Sequence, residues 1–134
     1  MRTGTVAVRL ARPGEVGAVI DLLDRAMLQF DRSELPERIR HGSVVVITDG
    51  EKIHGTAVLG GHHIEAIAIA KAWRGKGLGR AIIEAIQRRT EVITASCHPQ
   101  ALGFYRALGF TCYSLPDGQC FAYRSDQTSG STSS

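Results

Sequence analysis

Residues 62–80 constrain the fold of this chain more than any other stretch. An apolar run from His62 to Ala70 passes through Lys71-Ala72-Trp73 into Arg74-Gly75-Lys76-Gly77-Leu78-Gly79-Arg80, and then into a helical stripe of Leu78, Ala81, Ile82, Ala85 and Ile86. Glycine tolerates the sharp turn needed at a strand-to-helix junction. Such a turn exposes consecutive backbone N–H groups at the positive end of the helix dipole. The result is an anion site suited to a pyrophosphate, and Lys76 and Arg80 add positive charge beside it. A Walker loop would need GxxxxGK[ST], which is absent. A dinucleotide fingerprint would place GxGxxG near the start of a βαβ unit, with an acidic residue about twenty positions on. Here the glycines run GxGxG in mid-chain, and a cluster serving only as a turn is the bland alternative.

The remaining sequence predicts the frame around that junction. Val6, Val8 and Leu10 alternate in a strand over 5–10, which Arg12-Pro13-Gly14 breaks. Val16, Val19, Ile20, Leu23, Met27 and Phe30 form one helical stripe from Glu15 to about Phe30. Asp31 and Ser33 supply a turn and cap, and Pro36 fits the first turn of a short helix ending near Arg40. Ser43 to Thr48 is a β-branched strand, and Asp49-Gly50 is a hairpin signal leading into Lys52 to Leu59. After Gly60-Gly61 come the strand His62–Ala70, the glycine turn, a helix to about Arg89 and a short strand from Val92 to Ser96. His98-Pro99 opens the next helix, which Gly109 ends. Thr111–Leu115 and Gln119–Arg124 flank the turn Pro116-Asp117-Gly118.

An antiparallel meander followed by a βαβ unit predicts an α/β domain of α+β character. Its sheet is mixed, mostly antiparallel and of about six to seven strands, with helices on both faces. Residues 1–124 read as one domain, and 125–134 as a disordered Ser/Thr-rich tail. A net charge of +3 is too small to single out nucleic acid. Three cysteines without CxxC or Cys/His spacing read as reduced thiols of a cytoplasmic protein, with no metal site. His62-His63 makes no metal pair, because adjacent strand residues point to opposite faces. No apolar run is long enough to span a bilayer, and the N-terminal segment does not read as a secretory signal.

A second segment follows the next strand: His98-Pro99-Gln100-Ala101-Leu102-Gly103-Phe104-Tyr105-Arg106-Ala107-Leu108-Gly109-Phe110. Together the two segments resemble the GNAT superfamily of N-acetyltransferases. The family's Arg/Gln-x-x-Gly-x-Gly/Ala element matches Arg74, Gly77 and Gly79. Its Ala…(Phe/Leu)-Tyr-x-x-(Leu/Met)-Gly-Phe element matches Ala101, Phe104, Tyr105, Leu108, Gly109 and Phe110. The family often has Asn seven residues before the tyrosine, where this chain has His98.

The resemblance implies an enzyme that moves an acetyl group from acetyl-CoA to a primary amine by direct attack in a ternary complex. The alternative is a CoA-binding module of the same fold without turnover. By resemblance, Arg74, Gly75, Lys76, Gly77, Leu78, Gly79 and Arg80 hold the CoA pyrophosphate. The backbone of Ile67, Ala68 and Ile69 then holds the pantetheine arm and thioester, in a gap where their strand splays from Val92–Ser96, and His98 and Ala101 complete the cofactor set. The resemblance also makes Tyr105 the proton donor to the CoA sulfur, a role that a phenol of pKa about 10 can fill because it is protonated at neutral pH. Alternation places His63, Glu65, Ile67 and Ile69 on one strand face, so Glu65 or His63 could act as base, with Glu65 preferred. Trp73 either stacks on adenine or packs beside the turn. The resemblance places the acceptor, a small cationic amine or a protein amine, between residues 24–42 and 111–124. There Asp24, Asp31, Glu34 and Glu37 either attract a cation or are ordinary surface carboxylates. The resemblance also allows a homodimer, which no residue in the sequence decides.

Overall fold

A computed structural model describes residues 6–27, 30–97 and 99–125. Its elements in chain order are β1 (Ala7–Leu10), α1 (Val16–Arg25), α2 (Leu35–Arg40), β2 (Val44–Thr48), β3 (Ile53–Gly60), β4 (His63–Ile69), α3 (Leu78–Gln87), β5 (Val92–Cys97), α4 (Leu102–Ala107), β6 (Thr111–Ser114) and β7 (Cys120–Ser125). One seven-stranded sheet runs β1-β2-β3-β4-β5-β7-β6. Only β4 and β5 pair in parallel; the other neighbours are antiparallel.

Two apolar layers sandwich the sheet. Val45, Ile47, Ala57, Ile64 and Ile93 meet Leu78, Ile82, Ile83 and Ile86 of α3 and Tyr105 of α4. On the opposite face Val44, Val46, Val58, Ala66 and Ala68 meet Val19, Leu22 and Leu23 of α1 and Leu35 and Ile39 of α2. β2 is buried along its whole length, which explains why its sequence is a continuous β-branched run without alternation. The α3 stripe, spaced at three and four residues, puts Leu78, Ile82, Ile83 and Ile86 on the sheet.

Several expectations shift at element ends. α1 stops at Arg25, five residues short of the predicted stripe. Ala26 and Met27 close it through bonds to the Leu22 and Asp24 carbonyls, and Met27 turns to a left-handed φ of 56°. Met27 is therefore 86% exposed and is no part of the stripe. Phe30 joins the α1–α2 layer separately, beneath the Arg38 guanidinium at 5.5 Å. Asp31 does cap the next turn, accepting from Ser33 N at 3.0 Å, and Pro36 sits in the first turn of α2. Ser125, expected in the tail, lies in β7 opposite Val92. The rest of the tail reading falls on 126–134, outside the described residues.

Between β4 and α3 the chain makes a 3₁₀ turn, Lys71–Trp73, that periodicity did not predict. Another 3₁₀ turn, Pro99–Ala101, precedes α4. No helix among the described residues is long and apolar enough to cross a membrane.

Candidate active site

The site begins where strand pairing stops. β4 and β5 are in register only at His63↔Thr94 and Ile64↔Ala95. Beyond Ile64, β4 keeps β3 on one side and parts from β5 on the other. Ala70 N donates to His54 O at 2.7 Å. Antiparallel alternation then makes Ala66 and Ala68 the residues bonded to β3, and turns the N–H and C=O of Ile67 and Ile69 toward the gap. In keeping with that direction, the Ile69 carbonyl accepts from Arg74 Nε at 3.1 Å. Sheet splaying thus leaves main-chain groups facing a space instead of a neighbouring strand.

That space is a cavity of about 700 Å³, the size of a small-molecule site. Glu65, Ile67, Ala68, Ile69, Arg74, Gly75, Gly77, Leu78, Gly79, Arg80, Ala101 and Tyr105, all singled out from the sequence, line it. Sequence reading missed Ala26 just after α1, Ala66, Ser96 and Ala107; Phe104 and Leu108 were visible only as motif positions. Ala26 belongs to the α1 layer and Phe104 to the α4 side, so the cavity passes through the sheet at the gap. Lys76 departs from expectation: it is exposed on the turn and forms no part of the wall. His98 lies outside the described residues.

At one end lies the glycine turn. Gly75 and Gly77 adopt φ of 78° and 86°, a region that L side chains enter at a cost. Gly77 caps α3, whose first internal bond runs from Ala81 N to Gly77 O at 3.0 Å. The N–H groups of Leu78, Gly79 and Arg80 precede that bond and have no partner within the helix. A Cβ built on Gly75 or Gly77 meets nothing within 4 Å, so the space over the turn is open. Arg80 donates to the Ala107 carbonyl, tying α3 to α4. Together these features fit an extended phosphorylated ligand, with its anionic part on the α3 N-terminus.

Tyr105 enters from the α4 side. The residue is 7% exposed, and its ring lies edge-on to Phe104 and Phe110, each at 5.2 Å between centroids. The main chain adds a bond from Phe110 N to Tyr105 O at 3.0 Å. Aromatic packing thus holds the phenol in the cavity wall.

Glu65 comes from the sheet by a route that alternation does not predict. Val58 pairs with Ala66 and Leu59 with Ile64, so Glu65 is the extra residue of a β-bulge. The bulge breaks the phase of β4: Ile64 shares the α3 face with Ile67 and Ile69, and the expected single face of His63, Glu65, Ile67 and Ile69 does not form. The Glu65 carboxylate instead reaches Arg38 of α2, Oε1 to Nη2 at 2.9 Å, while still lining the cavity. Arg38 also donates to the Leu59 carbonyl at 2.9 Å and to Glu34 at 3.1 Å. The Glu65 hydrogen bond is the main cause that raises the Arg38 pKa. Gly60 makes this placement sterically feasible, since a Cβ there would collide with Glu65 Oε2. His63 is engaged elsewhere, its Nδ1 lying 2.7 Å from Thr94 Oγ1, and it does not line the cavity.

The carboxylates expected near the acceptor are all engaged. Asp24 pairs with Arg32 at 2.7 Å, Glu37 with Arg40 and His41, and Glu34 shares Arg38 with Glu65. Asp31 serves as a cap. Among the described residues, no three His, Cys, Asp or Glu side chains gather as a metal site.

The site can be set beside known proteins. The family model described as an acetyltransferase (GNAT) domain matches residues 40–112, which hold the splayed strand, the glycine turn and Tyr105. Peptidyl-lysine N-acetyltransferase YjaB of Salmonella typhimurium is 32% identical over 69 residues. That match takes in 49% of this chain and spans only 48% of the relative's length. Among solved structures, a GNAT-family acetyltransferase from Bacillus cereus superposes with a TM-score of 0.76 at 16% identity, covering 92% of this chain and 99% of its own. YncA of Salmonella typhimurium, solved with its cofactor acetyl-CoA, gives 0.70 at 17% identity, covering 90% and 93%. At those identities the likeness shows the shared fold. With more than half of the chain matched by the family model, around the splayed sheet and glycine turn just described, this protein belongs to the GNAT acetyltransferase family.

Proposed function

We propose that this protein transfers the acetyl group of acetyl-CoA to a primary amine, by direct attack within a ternary complex. The observation that carries the reading is the continuity of one cavity from the α3 N-terminal turn, along the outward-facing backbone of β4, to Tyr105 and Glu65. A pyrophosphate sits on the N–H groups of Leu78 to Arg80, and the pantetheine arm runs between β4 and β5. The thioester oxygen accepts from the Ile67 N–H, a preorganised donor of a kind worth about 3–4 kcal/mol to a tetrahedral oxyanion. Glu65 takes the proton that the amine sheds on attack, directly or through water. As the intermediate collapses, the C–S bond breaks and Tyr105 Oη gives its proton to the sulfur, releasing CoA and the N-acetylated amine. The acetyl-CoA bound in YncA supports the donor. The name of the YjaB relative supports a lysine side chain in a polypeptide as the acceptor.

Calorimetric titration tests the donor first, with NAD and ATP as controls. One saturable site for acetyl-CoA and none for the controls is the expected result. No acetyl-CoA binding to folded protein would overturn the reading.

Gly60→Ala tests the role of Glu65 without altering its carboxylate. The added Cβ collides with the end of a flexible side chain, so the fold tolerates it while Glu65 is pushed off Arg38. Turnover is expected to fall by roughly tenfold or more, part of the 10²–10⁴-fold contribution typical of general acid–base groups. Acetyl-CoA affinity stays unchanged. Wild-type turnover in both Gly60→Ala and Glu65→Gln removes Glu65 from the chemistry.

A further inference from the structure

His54 of β3 is a buried polar residue, 8% exposed, that the proposed reaction does not use. Its Nε2 lies 2.9 Å from Asp49 Oδ2. The other carboxylate oxygen of Asp49 accepts from Glu51 N and Lys52 N, both at 2.9 Å. Asp49 is thereby locked into the β2–β3 turn, and His54, foremost among these partners, holds its carboxyl well below the usual range. The opposite neighbour of the imidazole is Trp73, whose ring stacks on it at 3.9 Å between centroids and 19° between planes. Trp73 is the one tryptophan of the chain, and it forms part of the cavity wall next to Arg74 and Gly75.

The main chain converges on the same point. Ala70 N donates to His54 O at 2.7 Å, and Trp73 N donates to Ala70 O at 2.8 Å. Between the end of β4 and the glycine turn there is only the one 3₁₀ turn carrying Trp73. His54 therefore grips this connector twice, by its carbonyl and by its ring. Glycines at 75 and 77 leave the turn itself with little intrinsic stiffness. Its position relative to β4 must come from something outside it.

We propose that His54, anchored by Asp49, is a positioning residue: it clamps Trp73 so that the glycine turn presents its N–H groups in register with β4. The ligand side of this inference rests on the proposed acetyl-CoA site. Main-chain donors on a glycine-rich turn bind well only when the turn is held to a fraction of an ångström, so the clamp acts on affinity and not on the chemical step.

Trp73 is its own reporter. In ligand-free protein, His54→Ala is expected to shift Trp73 emission to the red and increase its quenching by acrylamide. The same variant should weaken acetyl-CoA binding by roughly three- to tenfold, the range for losing an aromatic stack. Turnover at saturating acetyl-CoA stays within about twofold of wild type under that separation of affinity from chemistry. His54→Leu fills the same space without the ring stack or the Asp49 bond and should show the same emission shift and loss of affinity, which covers the case in which His54→Ala does not fold. Unchanged emission and quenching in ligand-free His54→Ala would overturn the clamp. Altered emission with wild-type affinity would overturn its effect on the site. If wild-type protein itself binds no acetyl-CoA, the cofactor reading falls, while the ligand-free fluorescence still decides whether His54 holds Trp73.

Discussion

Tyr105→Phe is expected to lower kcat by about 10²–10⁴-fold, the usual contribution of a positioned proton donor, and to leave acetyl-CoA binding at its wild-type value. Where the ring is held decides this outcome. Phe104 and Phe110 pack edge-on against it from two directions, and those contacts depend on the ring and not on the hydroxyl. The substitution therefore removes the hydroxyl and keeps these two ring contacts. Steady-state rates with a lysine peptide, beside calorimetry with acetyl-CoA, separate the two effects. Wild-type kcat in the variant would strip Tyr105 of its role, and an equal loss of affinity and rate would recast it as a binding residue. Binding retained with no turnover in the wild-type protein for any amine would point instead to a CoA-binding module.

Gly77→Val is expected to abolish acetyl-CoA binding and lower thermal stability. Gly77 caps α3 at φ 86°, and an L residue there costs about 1–2 kcal/mol, more for a β-branched one. For a chain of this length that corresponds to a fall in Tm of about 2–8 °C. The larger effect is on binding, because the isopropyl group projects into the open space over the turn, where the pyrophosphate is proposed to bind. Gly79→Ala is the internal control. Its added Cβ makes only ordinary contacts, 3.7 Å from Phe104 and 3.9 Å from Leu108, and both fold and binding should survive. Melting curves and titrations of the two variants check the pair. Gly77→Val protein that binds like wild type would mean the anion sits elsewhere.

The two variants also mark what kinds of fact the sequence holds by itself. The glycine turn and the tyrosine element are local: each depends on residues a few positions apart, and each appears in the structure on the wall of one cavity. Glu65 was legible as a residue and not as a geometry. Strict alternation put it on the face of Ile67 and Ile69, whereas the bulge opposite Val58 and Leu59 sends it toward α2. A bulge is a property of two strands in register, and one strand's sequence does not contain it. Arg38, 27 residues away, had no signal at all. Met27 failed for a related reason: the apolar spacing extended the stripe, but α1 had already closed on the Leu22 and Asp24 carbonyls.

By itself, then, the sequence determined the order and type of nearly every element, the β-branched run that forms β2, the glycine turn at Gly75–Gly79 and the family. All of these follow from periodicity, from backbone freedom at glycine and from short motifs, which act over a turn or a strand. Tertiary structure alone decided that β4 and β5 part after Ile64, that Gly60 leaves room for the Glu65 carboxylate beneath Arg38, and that His54 of β3 holds Trp73 beside the turn. Each of these joins residues from different elements at distances of a few ångströms. Pairing register and side-chain packing set such distances, and both are properties of the assembled sheet rather than of any segment of the chain.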